Sequence, residues 1–136
     1  MNPEQSRVLY IEDQPEMIDL VRLTLRRIGC EVLGAMDGQA GLAMMRELKP
    51  DLVLLDLMLP GSDGWQIRDI MLADEVLKYL PVVLVTARIQ ATTSATACGR
   101  PLPQADAYIT KPFSLIEMRS VVQGMLQNSI GPAVVN

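Results

Sequence analysis

The stretch Asp51-Leu-Val-Leu-Leu-Asp-Leu-Met-Leu-Pro-Gly-Ser-Asp-Gly64 decides how the rest of the chain is read. Leu52 to Leu55 are apolar without alternation, which suits a strand covered on both faces, as in a parallel sheet. Asp56 closes that run. Pro60, Gly61 and Gly64 then predict a loop from Leu57 to Gly64. A carboxylate at the tip of a doubly covered strand sits where α/β sheets carry their ligand sites.

The same alternation extends in both directions. Upstream, Arg7 to Glu12 reads as a strand. Pro15 suits a first helical turn, where a missing N–H costs little. Ile18, Val21, Leu25 and Ile28 fall on one helix face, and Gly29 is a stop signal. Cys30 to Ala35 is a second strand. Ala40 to Leu48 is a second helix, ended by Pro50. Downstream, Trp65 to about Lys78 is a third helix with a predicted interruption near Asp74. Pro81 to Thr86 is another buried strand, and Ala107 to Thr110 a short fifth one. Ser114 to Gln127 carries Leu115, Met118, Val122, Met125 and Leu126 on one face, with Ser114 and Glu117 spaced as a capping box. Five strand–helix alternations imply a parallel sheet with helices on both sides.

Composition bounds the function. The 136 residues make about one domain, 49% hydrophobic and 21% charged. The net charge of −4 lacks the basic footprint of a nucleic-acid surface, so no direct nucleic acid binding is expected. No apolar run reaches the roughly 20 residues needed to span a bilayer. The opening MNPEQSR lacks a signal-peptide core, and Cys30 and Cys98 read as reduced thiols. A cytoplasmic location with no membrane partner is the expectation. The chain has no histidine. Serine-type triads, Cys–His dyads and histidine-based zinc sites are excluded.

Polar residues gather at the strand ends: Glu12 and Asp13, Asp56, Thr86, and Lys111 after the fifth strand. In a parallel sheet they converge on one edge. Clustered carboxylates repel one another unless a cation relieves them, and hard oxygen ligands suit Mg²⁺. A carboxylate can also serve as nucleophile in phosphoryl transfer, with lysine and hydroxyl groups steadying the charge.

These residues carry a resemblance. Val8-Leu-Tyr-Ile-Glu-Asp13, Asp51 to Gly64, Pro81-Val-Val-Leu-Val-Thr-Ala87 and Ala105-Asp-Ala-Tyr-Ile-Thr-Lys-Pro-Phe113 resemble the blocks of bacterial response regulator receiver domains of the chemotaxis-receiver type. The resemblance runs from Val8 through Gln127. It implies a flavodoxin-like three-layer (βα)5 fold with strand order 2-1-3-4-5. It implies a receiver domain over residues 1–127, with 128–136 as a tail or the start of a linker. Asp56 matches the phospho-acceptor. Asp13 matches a direct Mg²⁺ ligand, Glu12 one acting through water, and the Met58 carbonyl a further ligand. Thr86 matches a switch hydroxyl, the Ala87 N–H and Lys111 phosphate-binding groups, and Tyr108 an aromatic that turns inward on activation. The Lys111–Pro112 bond is expected to be cis. A sensor histidine kinase or histidine phosphotransfer protein is the implied phosphoryl donor. The downstream target and oligomeric state are left open.

Two departures stand out. Met58 and Arg88 are not residues that readily orient an attacking water, which predicts slow self-dephosphorylation. From Ile89 to Gln104 the chain is Thr-rich and carries Pro101 and Pro103, which predicts a short or irregular fourth helix and a longer loop into the fifth strand. The charged pairs with which one subfamily dimerises are not evident. Two other classes compete with the switch module. An aspartyl phosphotransferase enzyme would place two acids as DxD, which Asp56-Leu-Met does not. A phosphorylation-independent interaction domain would not require the intact acceptor, acid and lysine positions.

Overall fold

The structure is a computed structural model that describes residues 5–59, 62–87, 96–97 and 100–130. Five parallel strands form one sheet: β1 (Ser6–Ile11), β2 (Cys30–Ala35), β3 (Leu52–Asp56), β4 (Val82–Thr86) and β5 (Ala107–Thr110). Their order is β2-β1-β3-β4-β5, as expected. Helices α1 (Pro15–Arg26), α2 (Gly38–Leu48), α3 (Gly64–Ala73) and α4 (Leu115–Ile130) cover the two faces. Every residue of β3 and of β4 is buried, which explains why both read as unbroken apolar runs.

The alternation of side chains along the strands sorts the core into two layers. Val8, Tyr10, Leu52, Leu54, Val83 and Val85 pack toward α1 and α4. Leu9, Ile11, Val53, Leu55, Val82 and Leu84 pack toward α2 and α3. On α1 the predicted face of Ile18, Val21 and Leu25 is the buried one, and each such side chain contributes about 1.5–3 kcal/mol. Gly29 ends this region with a φ of 80°, a conformation that glycine adopts without strain. The helix α2 begins two residues earlier than predicted, because the Asp37 side chain accepts a bond from the Ala40 N–H at 2.8 Å.

The third helix stops at Ala73, as the interruption near Asp74 foretold. The Asp74 carboxylate turns aside to accept the Val76 and Leu77 N–H groups, and a 3₁₀ turn follows at Leu77–Tyr79. At α4 the Glu117 N–H donates to Ser114 Oγ at 2.9 Å, the predicted cap. That helix runs on to Ile130, past the predicted end at Gln127. Of the expected tail, 131–136 lie outside the described residues. The predicted loop from Leu57 to Gly64 contains a small antiparallel ladder, Met58–Leu59 against Ser62–Asp63. Among the described residues of Ile89 to Gln104, Thr96–Ala97 pairs antiparallel with Arg100–Pro101. Residues 88–95, 98 and 99, on which most of the fourth-helix expectation and Arg88 fall, lie outside the described residues.

The segment entering β5 is held from three sides. Trp65 Nε1 on α3 donates to the Pro101 carbonyl at 2.8 Å, and Arg68 Nε to the Gln104 carbonyl at 2.7 Å. Tyr108 Oη donates to the Pro103 carbonyl at 2.9 Å. Leu102 and Ala105 pack against the α2–α3 layer of the core. These bonds and contacts strap the segment to α3, β5 and the core.

Gly64 closes the turn after β3. Its N–H donates to the Leu57 carbonyl at 3.1 Å. A Cβ there would stand 2.5 Å from Leu57 Cα and 2.8 Å from the Asp56 carbonyl oxygen, both rigid backbone. Gly64→Ala is expected to cost about 1–3 kcal/mol in urea unfolding through this overpacking. A variant as stable as the wild type would show that the backbone has room to move.

Candidate functional site

The ladder itself assembles the site. Tyr10 pairs with Leu54 and Ile11 with Leu55, so the next positions, Glu12 and Asp56, emerge side by side at the carboxyl ends of β1 and β3. Asp56 lies opposite Val85 of β4, and Thr86 opposite Thr110, one residue before Lys111. The Lys111 N–H donates to the Thr86 carbonyl at 2.7 Å, which ties the β5 end to the β4 end. The Lys111–Pro112 bond is cis, as expected.

Glu12 and Asp56 are buried, with residue exposures of 0% and 3%. Buried carboxylates require partners. Lys111 Nζ donates to Glu12 Oε1 at 2.7 Å and to Asp56 Oδ2 at 2.8 Å. Glu12 Oε2 accepts the Gln14 N–H at 3.1 Å, and Asp56 Oδ1 the Met58 N–H at 2.9 Å. Burial alone would lower the Lys111 pKa. The hydrogen bonds and charges of Asp56 and Glu12 outweigh it and hold the ammonium above the ordinary lysine value. Tyr10, fully buried on the same layer, donates its hydroxyl to Glu12 Oε1 at 3.1 Å. Desolvation, followed by the charge of Glu12, pushes its pKa far above that of an exposed tyrosine, so it stays a donor.

One carboxylate oxygen each from Glu12, Asp13 and Asp56 lies within 4.8 Å of the others. These are hard oxygen donors, and together they carry more negative charge than one ammonium offsets. The set fits a divalent cation such as Mg²⁺.

The other predicted positions differ in how closely they join this cluster. Thr86 is fully buried and its Oγ1 has no hydrogen-bond partner. Ala87 is exposed just beyond β4. Met58 is half exposed beside the acidic cluster. Tyr108 is partly exposed, and its hydroxyl is engaged with Pro103, in the strap. Sequence reasoning took Tyr10 for one more apolar strand residue. The signal that could have found it is the period of two, which puts residues 10 and 12 on one face. Elsewhere, a groove of about 360 Å³ between α1 and α4, lined by Leu20, Leu23, Leu115 and Ile116 between Arg27 and Arg119, takes no part in the acidic cluster.

The protein is thus a doubly wound α/β sheet with three carboxylates and a lysine at its carboxyl edge. Residues 8–123 match the response regulator receiver domain family, and the chain belongs to it. It is a receiver domain of two-component signalling. Similar proteins include the DNA-binding dual master transcriptional regulator RpaA of Synechocystis, 38% identical over 125 residues, covering 90% of this chain and 50% of that protein. The transcriptional regulatory protein TrcR of Mycobacterium tuberculosis is 37% identical over 123 residues, covering 90% and 46%. A CheY-like response regulator receiver domain protein of Methanospirillum hungatei shares the fold at a TM-score of 0.76 and 22% identity, over 93% of this chain and 98% of that one.

These relatives correct one expectation. Net charge led to the exclusion of nucleic acid from the partners, yet RpaA is named a DNA-binding regulator. The chain spans about half the length of the curated relatives it matches. The charge of that stretch describes the stretch alone and excludes nothing about nucleic acid. Among the described residues no helix is long and apolar enough to cross a membrane.

The ion pairs of Lys111 make a prediction. A lysine pKa raised by folding stabilises the fold below the unfolded-state value of about 10.4, and that contribution fades as pH climbs through the higher folded value. In chelator, Lys111→Met is expected to lose roughly 3 kcal/mol at pH 7, because it strands two buried carboxylates. The gap to wild type should narrow only above about pH 10.4 in denaturant titrations. A gap that already closes near pH 8 would contradict the pairing.

Proposed function

We propose that Asp56 accepts a phosphoryl group from the phosphohistidine of a sensor kinase or histidine phosphotransfer protein, and that this switches the domain's partner interactions. The convergence of Glu12, Asp13, Asp56 and Lys111 on one sheet edge is the observation that supports this reading. The carboxylate oxygen of Asp56 attacks phosphorus, a P–O bond forms, and the P–N bond to the donor imidazole breaks. With no histidine of its own, the chain depends on an external donor.

Each residue has a role in this scheme. Asp13, Asp56 and the Met58 carbonyl would hold Mg²⁺, with Glu12 acting through water. The bound cation supplies positive charge against the phosphoryl oxygens. Lys111, already bonded to Asp56, is within reach of a group attached there and steadies its negative charge. The Ala87 N–H adds a donor. Thr86 supplies the switch hydroxyl. Its Oγ1 is buried without a partner, and a phosphoryl oxygen would give it one. Tyr108 would turn inward by giving up its bond to Pro103. The two states of this equilibrium differ in affinity for the target. The receiver unit occupies residues 1–127, and residues 128–136, of which 128–130 continue α4, are a tail or the start of a linker. It acts in the cytoplasm as a signalling switch, with no multiple turnover of substrate.

The discriminating test compares wild type with Asp56→Asn for Mg²⁺-dependent labelling that is stable to acid and labile to alkali. The variant is expected to take up no label. Equal labelling of both would sink the assignment. The side chain of Met58 offers no carboxylate or amide to orient a water, and it stands half exposed beside the acceptor. Self-dephosphorylation is therefore expected to be slow, and a half-life of seconds for the purified phosphoprotein would count against this.

A further inference from the structure

Val8, Leu9, Tyr10 and Ile11 are all fully buried, so an aliphatic side chain would satisfy the packing at position 10 as it does at its neighbours. Tyrosine there brings a hydroxyl into the core, and that hydroxyl has a specific address. It donates to Glu12 Oε1 at 3.1 Å, the same oxygen that accepts Lys111 Nζ at 2.7 Å. Lys111 bonds onward to Asp56 Oδ2 at 2.8 Å. The other Glu12 oxygen is taken by the Gln14 N–H. Tyr10, Glu12, Lys111 and Asp56 thus form one hydrogen-bonded line through the buried floor of the site.

We infer that Tyr10 is a positioning residue for the Asp56 site, its hydroxyl fixing the carboxylate of Glu12 and, through Lys111, the acceptor. The inference rests on the phosphoryl-acceptor reading above. Its force comes from what happens when Lys111 redirects its hydrogen bonds to an incoming phosphoryl group. Glu12 Oε1 then loses its ammonium in a dry setting, where an unmet carboxylate oxygen is costly. Tyr10 is the donor that stays. It would hold the Glu12 carboxylate in place for its water-mediated part in binding the cation, as hydrogen-bonded partners around metal sites commonly do.

Tyr10→Phe removes only the hydroxyl and keeps the ring. In the full chain, Mg²⁺ binding followed by titration calorimetry is expected to weaken by about tenfold. The maximal rate of labelling by acetyl phosphate should fall by a similar factor, with the KM for acetyl phosphate within about twofold of wild type. In a Glu12→Ala background, Tyr10→Phe should change neither quantity further, because the group it acts through is gone. A Phe variant that melts lower but binds Mg²⁺ and labels like wild type would reduce Tyr10 to a packing residue and overturn the inference. So would an undiminished effect in the Glu12→Ala background. Wild-type protein carrying 3-fluorotyrosine gives a check that does not depend on the variant folding. Its buried Tyr10 fluorine signal should shift on saturation with Mg²⁺, and an unmoved signal overturns the inference. Absence of Asp56-dependent labelling in the wild type would instead sink the acceptor reading itself.

Discussion

Two carboxylates buried side by side at the end of a sheet would drive the strands apart without a counter-charge, and here that charge is the ammonium of Lys111. Its bonds to Glu12 and Asp56 join the chain near its beginning, its middle and its fifth strand. Burial disfavours an isolated charge of either sign, so each of the three groups depends on the others. The sheet order follows the same logic. With β1 and β3 adjacent, the acids meet. With β4 and β5 beside them, Lys111 arrives from a strand tip close enough to reach both.

The arrangement also explains how one fold serves stability and signalling. The two core layers fix the strand ends, and the strand ends fix the polar groups. Arg68 Nη1 on α3 is buried without a partner, and other groups with unmet potential stand at or near that edge. Three carboxylates face one ammonium, and a buried threonine hydroxyl has no partner. A site of this kind is stable enough to be built and unsatisfied enough to respond to an added ligand.

Most of the architecture was legible because burial writes itself into composition. The unbroken apolar runs of β3 and β4, the i, i+3, i+7 face of α1, and the cap at Ser114 each follow from a local rule. The acid and lysine positions were legible because parallel strands bring their ends together. What escaped depends on geometry that residue type does not encode. Asp37 was not read as the start of α2, since an aspartate after a strand suits many turns. Tyr10 looked apolar because its hydroxyl matters only once the register puts it behind Glu12. The bonds from Trp65 and Arg68 ended on main-chain carbonyls, which every sequence possesses. The exclusion of nucleic acid failed for another reason: net charge is a property of the stretch counted, and the relatives extend well beyond it.

The strap leading into β5 has a consequence for how this protein could diversify. Three of its anchoring bonds are received by backbone oxygens, at Pro101, Pro103 and Gln104, and another runs from the Val82 N–H to the Asp106 carboxylate. The donors Trp65, Arg68 and Tyr108 hold the main chain, and Leu102, Ala105 and Asp106 add their own side chains to the attachment. Gln104 is exposed and bound through its main-chain carbonyl, so mutation can change its side chain without loosening that bond. Such a change alters the surface of the domain at a position outside the acid and lysine cluster.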